Sequence, residues 1–267
     1  AARASQELIA SKAEGTTRSN LHLRLGGPGG TWPAPGGLLF GFYSGDLPAQ
    51  GAGVADNQWQ HVAFVFKKNA TTPHDRYMYV NGLEVAHDTP SYVYEGTGGN
   101  FIIGSWDTSQ FLHGLMDEFR VYDSALDVAT IQSHAAGVYE THQPSAIVLA
   151  HHSDEAANPV ADSSYARNDG NYGGTAFEAP GRFMYGLGYD GSSATTVAAD
   201  PTIDFNGEPF TIEMWVNQDP GPSGNQVIVG KHDTPSTASE DMHLRLYANG
   251  SVRMGFYGND LSSVAGA

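Results

Sequence analysis

The sequence predicts an all-β protein, an antiparallel jelly-roll β-sandwich with one short helix near 124–136. Two observations carry this prediction. The 267 residues include 33 Gly and 14 Pro, which favours many turns and short strands over long helices. Alternating or wholly apolar runs bounded by turn residues also recur along the chain, as strands do.

The predicted strands before the helix are short and closely spaced. They lie at 21–25, 38–43, 59–66, 76–80, 83–85, 101–104 and 115–122. Asn81-Gly82 separates two of them, and this pair is the strongest short hairpin signal, because a type I′ turn needs positive φ at both central residues.

One segment, 124–136, indicates a helix. Ser124 is a candidate N-cap, and Leu126, Thr130 and Ile131 share one helical face. A linker is predicted at 138–143. Further strands follow at 146–150, 186–189, 195–198 and 210–216, where Phe210, Ile212, Met214 and Val216 alternate on one face.

The end of the chain repeats its beginning. Residues 7–12 return as 226–231, 21–25 return as 242–246, and 41–47 return as 255–261. The offsets of 219, 221 and 214 residues indicate a repeat unit of that length, which is far longer than the blade of a β-propeller. We call 7–47 the first copy and 226–267 the second copy.

Six sequence blocks together resemble the laminin G-like, concanavalin A-like lectin and glucanase jelly-roll superfamily. The blocks resembling the family's opening are Ile147-Val148-Leu149-Ala150 with Asp162-Ser163-Ser164 and Asn168-Asp169-Gly170, then Gly188-Tyr189-Asp190-Gly191, then 210–216. The middle of the family resembles Trp59-Gln60-His61-Val62-Ala63 and Tyr79-Val80-Asn81-Gly82, and its closing block resembles 114–122.

The blocks stand in an unusual order, because the closing block precedes the opening ones. We therefore predict that 1–137 is the C-terminal two thirds of one jelly roll and that 144–267 is the N-terminal part of a second. Three arrangements follow: a piece of a tandem array, a circularly permuted domain in which 144–225 completes 6–137, or neighbouring chains that complete one another. An incomplete jelly roll exposes strand edges, which favours pairing with another chain.

Charge and composition limit the partners. The net charge is −16, from 29 acidic and 13 basic residues, and such a surface repels phosphate backbones, so nucleic acid is not an expected partner. The chain has no cysteine and no apolar run near 18 residues, so we expect neither disulfides nor membrane insertion.

Catalysis is not expected. The resemblance includes glucanases, which place carboxylates at alternate positions of one strand, so that acid and nucleophile lie about 5 Å apart. Asp117 and Glu118 are adjacent and are expected on opposite faces, whereas Glu213 is the single acid of its strand.

The resemblance implies a structural calcium ion as a cofactor, near Asp190 and Asp117. Asp190 lies in a Tyr-Asp-Gly turn, and Asp117 is expected to share its face with Phe119 and Val121. A carboxylate beside a core needs a partner, and calcium accepts oxygen ligands in flexible geometry. The alternative is that Asp117 accepts backbone hydrogen bonds or pairs with Arg120 or Arg182.

The glycan-binding candidates are Trp106, Asp107 and His113, because loop aromatics with polar neighbours can stack on sugar rings. The leading hypothesis is a non-catalytic module of a repetitive surface or fibre protein, extracellular or on the cell surface, that acts in adhesion or assembly through glycan or protein contacts. The alternatives are a structural block that polymerises with neighbouring copies of itself and a carbohydrate-binding accessory domain of a secreted enzyme.

Overall fold

A computed structural model describes the fold of 10–12, 21–26, 38–42, 45–49, 57–91, 93, 99–105, 111–139, 146–205, 207–219, 226–232, 242–247, 252–256 and 259–260. Within these described residues the chain forms nineteen strands, one α-helix and one 3-10 turn at Pro201–Ile203. The elements are β1 Ala10–Lys12, β2 Leu21–Gly26, β3 Leu38–Phe42, β4 Gly45–Ala49, β5 Trp59–Lys67, β6 Asp75–Val80, β7 Leu83–Asp88, β8 Asn100–Ile103, β9 His113–Tyr122, α1 Val128–Ala135, β10 Ile147–His151, β11 Gly170–Tyr172, β12 Ala176–Pro180, β13 Tyr185–Asp190, β14 Thr195–Val197, β15 Phe210–Gln218, β16 Gln226–His232, β17 Met242–Tyr247, β18 Val252–Phe256 and β19 Asn259–Asp260.

The first sheet is antiparallel and has the strand order β12-β13-β9-β15-β5-β6-β7. β13 pairs with the first part of β9 and β10 pairs with the last part, while β15 pairs along β9 from Gly114 to Tyr122. Strands from before and after the predicted linker therefore alternate in one sheet. The linker lies mostly outside the described residues, and the predicted domain boundaries stay a prediction.

The second sheet has the order β1-β2-β3-β4-β18-β17-β16-β8-β14-β11 and contains both copies of the repeat. The pairings of this sheet are antiparallel among the described strands, with the exception of β2 and β17, which run parallel.

One hydrophobic core lies between the two sheets. The alternation predicted for β15 is confirmed, since Phe210, Ile212, Met214 and Val216 are all completely buried in this core. Burying a side chain of this size contributes about 1.5–3 kcal/mol relative to leaving it exposed. The predicted all-β sandwich is therefore the observed fold.

A β-bulge at Glu118 changes the face to which Asp117 belongs. The β9–β15 pairing passes from Arg120↔Glu213 to Asp117↔Trp215, so β9 carries one residue more than β15 between the same rungs. Glu118 has a φ of 52°. Asp117 consequently lies opposite Trp215, outside the core, and the expectation that it shares a face with Phe119 and Val121 is wrong.

The helix packs on the outer face of the first sheet, meaning the face turned away from the core. Its N-cap is Asp127, whose Oδ1 accepts a hydrogen bond from the Thr130 N–H at 2.8 Å, so the expected capping by Ser124 is wrong. Ile131 is completely buried in a second hydrophobic cluster, beside Val65, Tyr79 and Leu126. The Asn81-Gly82 turn is confirmed, with φ values of 50° and 77°.

Candidate functional site: an aromatic cleft beside the helix

The described residues form a cleft of about 500 Å³ on the outer face of the first sheet, between β5–β7 and the start of α1. This volume lies within the range of about 300–1,000 Å³ that is usual for small-ligand sites. We call it the aromatic cleft, and its lining residues are Val65, Lys67, Tyr77, Tyr79, Glu84, Ala125, Leu126, Asp127 and Val128.

Strand alternation places the two tyrosines of the cleft on one face. Met78 and Val80 of β6 are buried in the core, so Tyr77 and Tyr79 point to the outer face. The same rule on β5 sends Phe64 and Phe66 into the core. The cleft floor is thus a direct consequence of the period of two along both strands.

An aromatic row runs across β6 and β7. The ring of Tyr77 stacks on His87 with centroids 4.3 Å apart and planes 6° apart, and its centroid lies 6.2 Å from that of Tyr79. His87 Nε2 lies 3.2 Å from Asp75 Oδ1, and Asn69 donates to Asp75 Oδ2 at 3.1 Å. Burial opposes ionisation of Asp75, but the hydrogen bonds from Asn69 and His87 outweigh it and hold the Asp75 pKa below its ordinary value. Asp75 and Asn69 therefore hold His87, and with it the aromatic row, in position.

Polar groups border this aromatic row. The side chains of Lys67 and Glu84 have no hydrogen-bond partner among the residues that the structure describes. Burial, followed by the charge of Glu84, raises the pKa of Tyr79 to about 12, so its phenol stays protonated and can donate a hydrogen bond. The cleft thus combines aromatic surface with donors and acceptors.

A separate cluster of polar side chains is buried between α1 and the first sheet. The Glu213 carboxylate is completely buried, where Tyr122 Oη donates to its Oε1 at 2.8 Å and His134 Nδ1 lies 2.8 Å from the same oxygen. His61 Nε2 lies 3.5 Å from Oε2. Burial disfavours the charged form, but hydrogen bonding and charge from His134 and His61 prevail and lower the Glu213 pKa. This arrangement holds α1 on the sheet.

Asp117 on β9 is also completely buried. Its Oδ2 accepts a hydrogen bond from the Phe183 N–H at 2.8 Å, which agrees with the backbone-acceptor alternative. Burial raises the pKa of Asp117 to about 7; the Phe183 N–H lowers it, and the neighbouring charge of Glu118 adds to the rise.

Asp190 has a different environment. It is exposed, and its Oδ1 accepts hydrogen bonds from the Ser192 N–H, the Ser192 hydroxyl and the Ser193 hydroxyl at 2.9–3.0 Å. These hydrogen bonds lower the Asp190 pKa. The Asp190 carboxylate therefore stabilises the turn at 190–193.

The two calcium candidates do not converge on one ion. Asp190 pairs with His113, four residues before Asp117 on β9, which at about 3.3 Å per residue separates the two by roughly 13 Å. Calcium–oxygen distances are only about 2.3–2.6 Å. In the described part of the chain no group of three or more His, Asp or Glu side chains is arranged to hold a metal ion.

Two of the three glycan-binding candidates, Trp106 and Asp107, lie outside the described residues. His113 is half-buried at the start of β9, where its Nδ1 lies 2.9 Å from Asp219 Oδ2. The site at Trp106, Asp107 and His113 therefore stays a prediction.

Sequence reasoning missed the aromatic cleft. The alternation Arg76-Tyr77-Met78-Tyr79-Val80 was a usable signal, because it places two tyrosines on the face opposite Met78. The opposing wall comes from 125–128, which is held by the Leu126 N–H donating to Thr211 Oγ1 at 2.9 Å across 85 positions of sequence.

The fold is an antiparallel β-sandwich, and the comparison with family models agrees with it. Residues 2–132 match the laminin G-type model of the concanavalin A-like lectin/glucanases superfamily. This match includes β5, β6 and β7, which form the cleft floor. The blocks of 147–216 that resemble the family's opening lie beyond it. No curated protein and no solved structure shows significant similarity to the chain.

A domain of this superfamily is consistent with a carbohydrate- or protein-binding module, and the superfamily's name covers both lectins and glucanases. No helix among the described residues is long and apolar enough to cross a membrane.

Proposed function

We propose that the chain is a non-catalytic, extracellular binding module of a repetitive surface or fibre protein. Its role is adhesion, and it holds carbohydrate in the aromatic cleft. The observation that carries this proposal is the cleft itself. Two tyrosines lie there beside Lys67 and Glu84, whose side chains make no hydrogen bond within the described part of the chain.

The chemistry of the cleft suits a sugar. The apolar C–H face of a pyranose packs on aromatic rings, while its hydroxyls need both donors and acceptors. Tyr77 and Tyr79 supply aromatic surface with a polar end, Lys67 supplies a cationic donor and Glu84 supplies an acceptor. Asp127 is already engaged as the N-cap of α1, so it borders the cleft rather than facing a ligand.

The charge of the chain favours a neutral glycan. A net charge of −16 repels sulfated or phosphorylated sugars over the range of the protein's field. The cleft itself has one lysine against Glu84 and Asp127, so its local field does not reverse this preference.

The test is a neutral-glycan array with and without calcium, followed by calorimetric titration of the best ligand. We expect Tyr77→Ala to weaken binding about tenfold, or about 1.4 kcal/mol. Tyr165→Ala is the matched control, because Tyr165 is 53% exposed and lies outside the cleft. An array without hits under both conditions contradicts the proposal, as does an equal loss in the two variants.

The accessory-domain alternative uses the same cleft and differs only in context. A catalytic domain encoded elsewhere in the full gene favours that alternative, and its absence from the full gene favours the adhesion role. Calcium is a separate prediction: a fall in the melting temperature on adding EDTA supports it, and no change contradicts it.

A further inference from the structure

A serine, a histidine and a glutamate form a hydrogen-bonded series beside the β-bulge of β9. Ser163 Oγ lies 2.9 Å from His152 Nε2, and His152 Nδ1 lies 2.9 Å from Glu118 Oε1. A nucleophile, a base and a carboxylate that orients the base, joined in this order at hydrogen-bond distance, are the arrangement that activates a serine hydroxyl for covalent chemistry. The series is separate from the aromatic cleft, since none of its three residues lines that cleft.

Strand pairing brings the three residues together. β10 runs antiparallel to the last part of β9, and this pairing places His152, directly after β10, beside Glu118. The chain then returns along β10, where the Ser163 N–H donates to the Ala150 carbonyl oxygen at 3.0 Å. Glu118 is the bulged residue with a φ of 52°, and bulges turn a side chain away from the direction that regular alternation gives it.

The Glu118 carboxylate fixes the tautomer of His152. It is held by Arg120, whose Nε donates to Glu118 Oε2 at 3.2 Å, and the Glu118 side chain is only 11% exposed. An ionised carboxylate only accepts hydrogen bonds, so His152 Nδ1 carries a proton. In the neutral imidazole Nε2 is then an acceptor, and the Ser163 hydroxyl donates to it. In this state His152 can remove the Ser163 proton.

Protonation of His152 reverses the hydrogen bond to Ser163. Both ring nitrogens are then donors, so Nε2 no longer accepts the hydroxyl proton. The Ser163 hydroxyl has a second acceptor, the Ala150 carbonyl oxygen at 3.3 Å. The serine is therefore activated only when the imidazole is neutral.

The charged groups around His152 set the pH of this change. The hydrogen bond to Glu118 raises the His152 pKa above its ordinary value of 6.5, and the charges of Glu118 and Asp154 add to the rise. Burial and the charge of Arg120 oppose it. Ser163 should therefore become reactive as the pH rises through a value above 6.5.

The surroundings of Ser163 allow attack but not rapid release of a product. Ser163 is exposed and the His152 side chain is 41% exposed, so a reagent can reach both. The N–H groups of a nucleophilic serine and of the residue after it are common oxyanion donors. Here the Ser163 N–H is engaged by Ala150, and the Ser164 N–H donates to Asp162 Oδ1 at 2.8 Å. An ester formed on Ser163 should therefore hydrolyse slowly.

From this geometry we infer that Ser163 is an acyl acceptor, which takes one acyl group from an activated ester or thioester. Ser163 Oγ attacks the carbonyl carbon while its proton passes to His152 Nε2, and Glu118 positions His152. The Ser163 ester bond forms as the bond to the leaving alcohol or thiol breaks, and the leaving group takes the proton from His152. One transfer per chain without turnover is compatible with a non-catalytic module, and the inference goes beyond the sugar-binding proposal.

The test is incubation of the full-length chain with p-nitrophenyl acetate, followed by proteolysis and mass spectrometry. Ser192 is the control within the same molecule, because it is exposed and its hydroxyl donates to Asp190 Oδ1 at 2.9 Å rather than to a histidine. We expect Ser163 to be acetylated about 100-fold faster than Ser192, as general-base catalysis provides. Equal rates overturn the inference, as does rapid loss of the acetyl group from the re-isolated chain, which would mean hydrolytic turnover.

Two variants test the roles of the neighbours. His152→Gln should lower the ratio of Ser163 to Ser192 acetylation about 100-fold. In the wild type this ratio should rise with pH through a midpoint above 6.5, and Glu118→Gln should lower the midpoint, because it removes the carboxylate that raises the His152 pKa. A ratio that does not depend on pH, or a midpoint that Glu118→Gln leaves unchanged, overturns the inference.

The wild-type pH profile and His152→Gln decide the question even if Glu118→Gln does not fold, because His152 lies partly at the surface. The inference does not depend on the sugar-binding proposal. The cleft side chains lie on β5–β7 and in 125–128, so glycan titration and Ser163 acetylation can fail independently.

Discussion

The Nδ1 atom of His134 lies 2.8 Å from Oε1 of Glu213, with both side chains almost completely buried between the helix and the first sheet. His134 belongs to α1 and Glu213 to β15, so this contact joins elements from opposite sides of the predicted linker. The helix therefore covers this part of the outer face of the first sheet and keeps it from solvent.

Replacing Glu213 with Gln should destabilise the protein by about 3 kcal/mol at pH 7, since removing one partner of a buried polar group leaves the others uncompensated. Urea unfolding measures this loss. Glu208→Gln is the control, because the Glu208–Lys68 ion pair is exposed and should contribute about 0–1 kcal/mol. Similar losses in the two variants would contradict the account.

The same carboxylate predicts a pH effect. Its folded-state pKa is lowered, so its contribution is fully present above the ordinary value of 4.5 and is lost as the pH falls through the folded-state value. The stability of the wild type should therefore decline below about pH 4.5 more steeply than that of Glu213→Gln. Parallel declines in the two proteins would count against it.

Asp117 should have the opposite effect. Its carboxyl ionises near 3.8 in the unfolded chain and at about 7 in the folded one, so the folded state holds an extra proton between these values and loses stability as the pH rises through them. Asp117→Asn should thus gain about 1–3 kcal/mol relative to wild type on going from pH 4 to pH 8.

Urea unfolding at the two pH values measures this gain. Asp190→Asn is the control without this effect, because the Asp190 pKa is held below its ordinary value of 3.8, so its carboxylate titrates below the window and the change from pH 4 to pH 8 should match that of the wild type. If Asp117→Asn follows the wild-type pH dependence, the buried acid does not titrate as described.

The local alternation was predictable from sequence, and the bulge was not. Phe210, Ile212, Met214 and Val216 face the core as their period of two requires. The extra residue at Glu118 is visible only in the pairing of β9 with β15, partners that are nearly 100 positions apart in the chain. A single strand contains no information on where its partner lacks a residue, so the alternation of β9 alone predicts the wrong face for Asp117.

The hydrogen bonds of Asp162 explain the spacing of the residues in the first block that resembles the family's opening. This buried carboxylate accepts four hydrogen bonds of 2.7–2.8 Å, from the N–H groups of Ala150, Ser164 and Asn168 and from the Ser164 hydroxyl. It ties β10 to the loop that follows it. The spacing of Asp162-Ser163-Ser164 and Asn168 is thus that of one hydrogen-bonded turn.

Asp162→Ala should therefore cost about 3 kcal/mol or more, since each buried donor left without an acceptor costs about 1–3 kcal/mol. Asp169→Ala is its comparison: the exposed Asp169 accepts one hydrogen bond, from the Asp162 N–H at 2.8 Å, and its loss should cost about 1 kcal/mol. The difference in thermal midpoint between the variants measures the effect, and equal midpoints would refute it.

Gly82 has the conformation and the neighbours that require a glycine. Its φ is 77°, and an added Cβ would lie 3.1 Å from Cα and 3.1 Å from Cγ of Gln132 in α1. Gly82→Ala should therefore lose about 1–2 kcal/mol from backbone strain alone, and displacement of the helix should add to this. Gly173→Ala is the matched control. The Cβ added at Gly173 would lie 3.4 Å from its nearest atom, the Ala194 carbonyl oxygen, and the φ of Gly173 is not positive. Urea unfolding should separate the two variants by at least about 1 kcal/mol, and equal stabilities would show that the β6–β7 turn tolerates a side chain against the helix.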